Sequence, residues 1–130
     1  MTNRPSSEND RHASLIRMMA DHFVILGYAD IKADPDGYAQ PSQIDYHVLD
    51  LTATKSSGKL IVLEAETCET IADIHTPSKW RDSYNNARRM GNEFHIAVSR
   101  FCDGKDMIQR VQETLNKLSI SADEIWVPGQ

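Results

Sequence analysis

The strongest constraint on this chain is the stretch at residues 60–66 (LIVLEAE), where four consecutive apolar residues run straight into two glutamates, Glu64 and Glu66. An apolar run of that length suits a strand buried on both faces. Side chains two apart on a strand project to the same face, so Glu64 and Glu66 point one way. Two neighbouring carboxylates facing a buried side repel, and one takes up a proton unless a cation offsets the repulsion. A hard divalent cation does so well, because Mg2+ or Mn2+ prefers carboxylate and water oxygens. The alternative is a solvated edge strand whose glutamates pair with lysines, and the apolar run argues against an edge.

Just upstream, residues 43–53 (QIDYHVLDLTA) carry β-branched and aromatic side chains and read as a second strand. The polar stretch 54–59 (TKSSGK) reads as the turn that joins the two into a hairpin. On this strand Asp45 shares a face with His47 and Leu49, and Asp50 shares the other with Tyr46 and Val48. Asp50 falls near the level of residues 63–65, whereas Asp45 falls opposite the stretch after Glu66. Asp45 is the favoured acidic partner of the two glutamates. Asp50 stays open, and taken alone it reads as a surface charge.

Around the hairpin the pattern alternates. Leu15, Met19, Phe23 and Leu26 place a helix over residues 10–26, stopped by Gly27. Residues 29–33 read as a short strand, ended by the turn signal Asp34-Pro35-Asp36-Gly37. Thr76-Pro77 reads as a helix start with Thr76 at the N-cap, followed by the stripe Trp80, Tyr84 and Ala87 and closed by Gly91. Residues 93–99 form a strand. Asp103-Gly104 opens a helix bearing Met107, Ile108, Val111, Leu115 and Leu118, and residues 124–127 form a last strand. The order is α-β-β-β-α-β-α-β, which predicts an α/β fold with a central mixed sheet flanked by helices.

At 130 residues, 40% hydrophobic and 25% charged, the chain has the size and composition of one globular domain. Residues 10–130 are assigned to it, with residues 1–9 as a flexible polar arm. No run approaches the length of a membrane helix, and the polar start lacks the apolar core of an export signal. A cytoplasmic protein without a membrane partner is expected, with Cys68 and Cys102 as free thiols. The net charge of −5 opposes a protein that coats nucleic acid. It does not exclude a metal-dependent phosphodiesterase, whose central carboxylates lower the sum while basic residues elsewhere face phosphates.

The strand order, the acid on one strand and the Glu-Ala-Glu triplet on the next resemble the PD-(D/E)XK superfamily of restriction-endonuclease-like nucleases. The stretch LIVLEAETCETIADIHTPSKWRDSYNNARRMGNEFHIAVS is similar to small members with a Glu-x-Glu-Thr strand end, a Trp-bearing helix and a strand reading F-x-I-x-V. The resemblance covers roughly residues 10–127. It implies a restriction-endonuclease-like fold and Mg2+-dependent (or Mn2+-dependent) hydrolysis of DNA. Asp45 would match the acid of the second strand and Glu64 the first acid of the triplet. Glu66 stands where the superfamily commonly has lysine, and Ile44 precedes Asp45 where it commonly has proline.

The resemblance therefore implies a metal held by Asp45, Glu64 and Glu66, with Glu66 as a further ligand or the base for the attacking water. Lys79, in the first turn of the following helix, is the candidate replacement for the missing lysine. Glu8 or Asp10 would supply a helix-borne acid. Lys79, Arg81, Arg88, Arg89 and Arg100 are candidate phosphate contacts, although Arg88 and Arg89 equally suit a helix C-terminus. The competing reading is a domain that kept this fold and lost its chemistry, binding nucleic acid or a protein partner, with a homodimer as one arrangement. The five histidines lack a zinc-ligand spacing, and none is assigned to the site.

Overall fold

Leu15, Ile16, Met19, Ala20 and Phe23 recur every three or four residues and are all buried. They lay one stripe of helix α1 (Ser6–Ile25) against the core. The helix begins ahead of residue 10, so residues 6–9, assigned by the pattern to the arm, are helical. It ends where Gly27 turns left-handed at φ 82° and Tyr28 N–H donates to the Phe23 carbonyl at 3.0 Å. The computed structural model describes residues 6–33, 38–41, 43–44, 47–102 and 104–128.

The strands that follow are β1 (Ala29–Ala33), β2 (Gln43–Ile44), β3 (His47–Val48), β4 (Leu51–Thr54) and β5 (Leu60–Glu66). Then come α2 (Thr76–Met90), β6 (Glu93–Val98), β7 (Phe101–Cys102), β8 (Lys105–Asp106), α3 (Met107–Leu118) and β9 (Glu124–Trp126). Five strands form one mixed sheet in the order β1-β4-β5-β6-β9. The β1–β4 and β4–β5 pairs are antiparallel, and β5–β6 and β6–β9 are parallel. One core cluster packs α1 against Leu51, Ala53, Ile61, Leu63 and Ala65. The other packs Trp80 and Ala87 of α2 and Met107, Val111 and Leu115 of α3 with Phe94, Ile96 and Val98. The expected mixed α/β architecture is present, with helices against both faces of the sheet.

Three local readings are corrected. The single strand expected over residues 43–53 is broken into β2, β3 and β4, and β2 pairs with β3 in a separate ladder. Thr76 does not cap α2. The N-cap is His75, and the Thr76 hydroxyl instead donates to the Thr70 carbonyl at 2.7 Å, tying the helix to the loop before it. Asp106 rather than Asp103 starts α3, accepting from Ile108 N–H at 2.9 Å. A second small ladder, β7–β8, occupies the space assigned to the helix start.

Cys68 and Cys102 are joined in a disulfide, not free, because the fold brings the loop after β5 against β7. Spacing along the chain carried no sign of it. Among the described residues, no helix is long and apolar enough to cross a membrane.

Candidate functional site

The parallel half of the sheet ends where β5 gives out at Glu66. The β4–β5 ladder pairs Leu51 with Leu63 and stops there, so Asp50, one residue before β4, comes level with Glu64. The two segments then bind each other through side chains. Asp50 Oδ2 accepts from Ala65 N–H at 2.9 Å, and Glu64 Oε1 accepts from Asp50 N–H at 3.4 Å. Glu64 is 2% exposed, and the Asp50 side chain is 17% exposed. Asp50 is thus a half-buried part of this strand end and not the surface charge that it suggests when taken alone.

Glu66 is two residues further along the same pleated face and is also buried. Its Oε2 accepts from the Trp80 indole N–H at 2.9 Å, which explains why α2 carries a tryptophan on its inner face. Burial pushes the Glu66 carboxyl up to about 8, with the charges of Asp50 and Glu64 adding to it, and hydrogen bonds from Thr70 and Trp80 offset only part of this. Two neutral donors do not replace a counter-charge. A carboxyl near 8 favours its protonated form at neutral pH, and Asp50 and Glu64 are its acidic neighbours.

From the α1 side, His12 reaches the same strand end. Its Nε2 lies 3.0 Å from the Ala65 carbonyl and 3.4 Å from Asp50 Oδ2. Next to it, Arg11 pairs with Glu69 of the loop after β5. Residues 67–75 are themselves ordered by Thr67 N–H donating to the Thr70 hydroxyl at 2.8 Å. His12 was missed because no histidine spacing marks it. The available signal was different: residue 12 continues the buried stripe of residues 16, 19 and 23, where a polar side chain needs a polar partner.

Asp45 lies outside the described residues. Lys79 is half-buried in the first turn of α2, one position before Trp80, and so about 100° round the helix from the face that meets Glu66. Arg88 is engaged elsewhere, 3.8 Å from Asp123 and over the Tyr84 ring. Arg81, Arg89 and Arg100 are exposed. Glu8 and Asp10 fall within the first two turns of α1.

Asp50, Glu64 and the Ala65 carbonyl offer hard oxygens of the kind that Mg2+ or Mn2+ prefers. Glu66, protonated and turned to Trp80, does not complete such a set as it stands. Among the described residues no group of three or more His, Cys, Asp and Glu side chains is arranged to hold an ion. By donor type alone, Asp50 and Glu64 would suit a divalent cation, with the remaining positions left to the carbonyl and water.

No family model matches the chain, and no curated protein matches it. The fold is similar to the crystal structure of a repair endonuclease from Pyrococcus abyssi, at 10% identity and a TM-score of 0.49. The match covers 98% of this chain and 48% of that one, so the chain spans about half the length of that endonuclease.

Proposed function

We propose that this chain is a nuclease-like hydrolase of DNA phosphodiesters, of restriction-endonuclease-like fold, that works with Mg2+ or Mn2+. The observation that supports it is the pair of acidic side chains at one sheet end: Glu64 Oε1 accepts from the Asp50 N–H, and Asp50 Oδ2 accepts from the neighbouring Ala65 N–H. These two with the Ala65 carbonyl would hold the ion, and Asp45 is the competing acid. A bound divalent ion lowers the pKa of water and neutralises a phosphate. In its ionised form, which a carboxyl near 8 reaches at mildly alkaline pH, Glu66 would take a proton from the attacking water. Arg81 and Arg89, exposed along α2, would meet the DNA backbone, and Lys79 would supply positive charge nearer the metal.

The test is calorimetric titration with Mg2+ and Mn2+ of the wild type, Asp45→Asn, Asp50→Asn and Glu64→Gln, followed by nicking of supercoiled plasmid. Binding and nicking that are lost in Asp50→Asn and Glu64→Gln but kept in Asp45→Asn support the assignment. Loss in Asp45→Asn with Asp50→Asn unaffected transfers the ligand to Asp45.

One observation favours a second reading. The residue at the lysine position of the triplet is a buried glutamate bound to the Trp80 indole, as expected of a fold kept for binding nucleic acid or a protein without hydrolysis. No metal uptake at millimolar concentration, with DNA binding retained, would establish that reading.

A further inference from the structure

We infer that His12 is a positioning residue of this site, fixing chiefly the direction of the Asp50 carboxylate beside the Ala65 carbonyl; this rests on the hydrolase reading above. The argument starts from the backbone. Beyond the Leu51–Leu63 pair, β5 has no strand partner on its β4 edge, so the peptide groups of Ala65 need other partners. The N–H finds Asp50 Oδ2 at 2.9 Å, and the carbonyl finds His12 Nε2 at 3.0 Å. The same imidazole nitrogen lies 3.4 Å from Asp50 Oδ2. Asp50, Ala65 and His12 thus close a small circuit; the β6 ladder already holds the Ala65 backbone, so loss of His12 chiefly frees the Asp50 carboxylate to turn.

The placement of His12 is itself held from two sides. One turn further along α1, Leu15 and Ile16 are buried in the core, which sets the depth of the helix against the sheet. At the neighbouring position, the Arg11–Glu69 pair ties α1 to the loop that leaves β5. The His12 side chain is 13% exposed, so water competes little for its contacts. Groups that orient a ligand from behind typically change metal affinity or activity by about 10- to 100-fold when removed. His12 touches the proposed ligands and not the substrate, which makes it a positioning residue rather than a catalytic one.

The experiment compares the wild type with His12→Gln, which keeps a donor near the Nε2 position, and with His12→Leu, which keeps bulk without a donor. Mn2+ affinity is measured by calorimetry, and plasmid nicking is resolved into kcat and KM for DNA. His12→Leu is expected to weaken Mn2+ binding about 10- to 100-fold and to lower kcat with KM for DNA unchanged. His12→Gln is expected to recover most of both, and His12→Ala to be partly rescued by added imidazole. If His12→Ala fails to fold, the Gln and Leu pair carries the comparison. Equal impairment of those two would show a packing role and overturn the inference. So would wild-type affinity in His12→Leu while Asp50→Asn loses the metal, an outcome that leaves the hydrolase reading standing. A wild type that takes up no Mn2+ at millimolar concentration overturns both.

Discussion

Glu66 and Glu93 lie on neighbouring parallel strands, β5 and β6, at opposite ends of the ladder, Glu93 beside Ile61 and Glu66 beside Val98. Burial would push both carboxyls up. At Glu93 a hydrogen bond from His95 at 2.9 Å and one from Lys55 at 3.0 Å, with the charge of Lys55, outweigh burial and hold the group below the ordinary carboxylate range. At Glu66 the donors are an indole and a hydroxyl, the neighbouring charges are negative, and the carboxyl stays protonated to about 8. One end of the sheet is electrostatically complete and serves structure. At the other, a buried carboxyl has neutral donors and acidic neighbours, and a buried group perturbed in that way is a candidate for function.

The largest effect that would break this contrast is at Trp80. Trp80→Ala empties a fully buried site, and urea unfolding should show a loss of about 3–5 kcal/mol. Trp80→Phe keeps most of the packing and removes only the donor to Glu66, for about 1–3 kcal/mol. A Phe variant as stable as the wild type would mean that the indole bond to Glu66 contributes nothing.

Next comes pH, where the two ends should pull in opposite directions. Glu66 rises from 4.5 to about 8 on folding, so the folded chain holds a proton that the unfolded chain releases. Its stabilisation is complete below about pH 4.5 and is lost as pH rises toward 8. Glu66→Gln should flatten that decline in thermal melts between pH 5 and 8. Glu93 is lowered from 4.5, so its contribution is present above that value and is lost as pH falls through the folded one. His95 is lowered from 6.5, mainly by burial and against the pull of Glu93, so acidification below 6.5 also costs stability. Glu93→Gln should blunt the loss below about pH 4.5, keep the step that His95 begins at 6.5, and leave the decline set by Glu66 alone. Identical pH profiles for Glu66→Gln and Glu93→Gln would erase the distinction between the two ends.

The smallest effect belongs to Lys55. Its side chain is 32% exposed, and an ion pair that open to water contributes about 0.5 kcal/mol or less. Lys55→Met should shift the urea midpoint barely at all, while moving the Glu93 carboxyl upward in a titration followed by NMR.

Much of this fold was legible because period and punctuation act locally. The LIVLEAE run, the 54–59 turn and the helical stripes each declare themselves within a few residues, and β1 and β5 begin and end where the pattern puts them. The site was less legible because its geometry depends on where strands break. An unbroken strand over 43–53 would keep a strict alternation between Asp45 and Asp50, but the split into β2, β3 and β4 cancels that bookkeeping and brings Asp50 level with Glu64. His12 and the disulfide are contacts across 53 and 34 residues of chain. No local rule of spacing reports on pairs so far apart.

The Cys68–Cys102 bond has a topological consequence. It closes a covalent ring that contains the whole of α2 and β6, the two elements that back Glu66. A protease cut inside the ring, for instance at the exposed residues 72–75, would leave the two pieces joined as a two-chain protein. Such a nick would be silent on a gel run without reductant and would appear as two fragments once thiol is added. A nick in the 55–59 turn, outside the ring, would release its fragments under denaturing conditions with or without reductant.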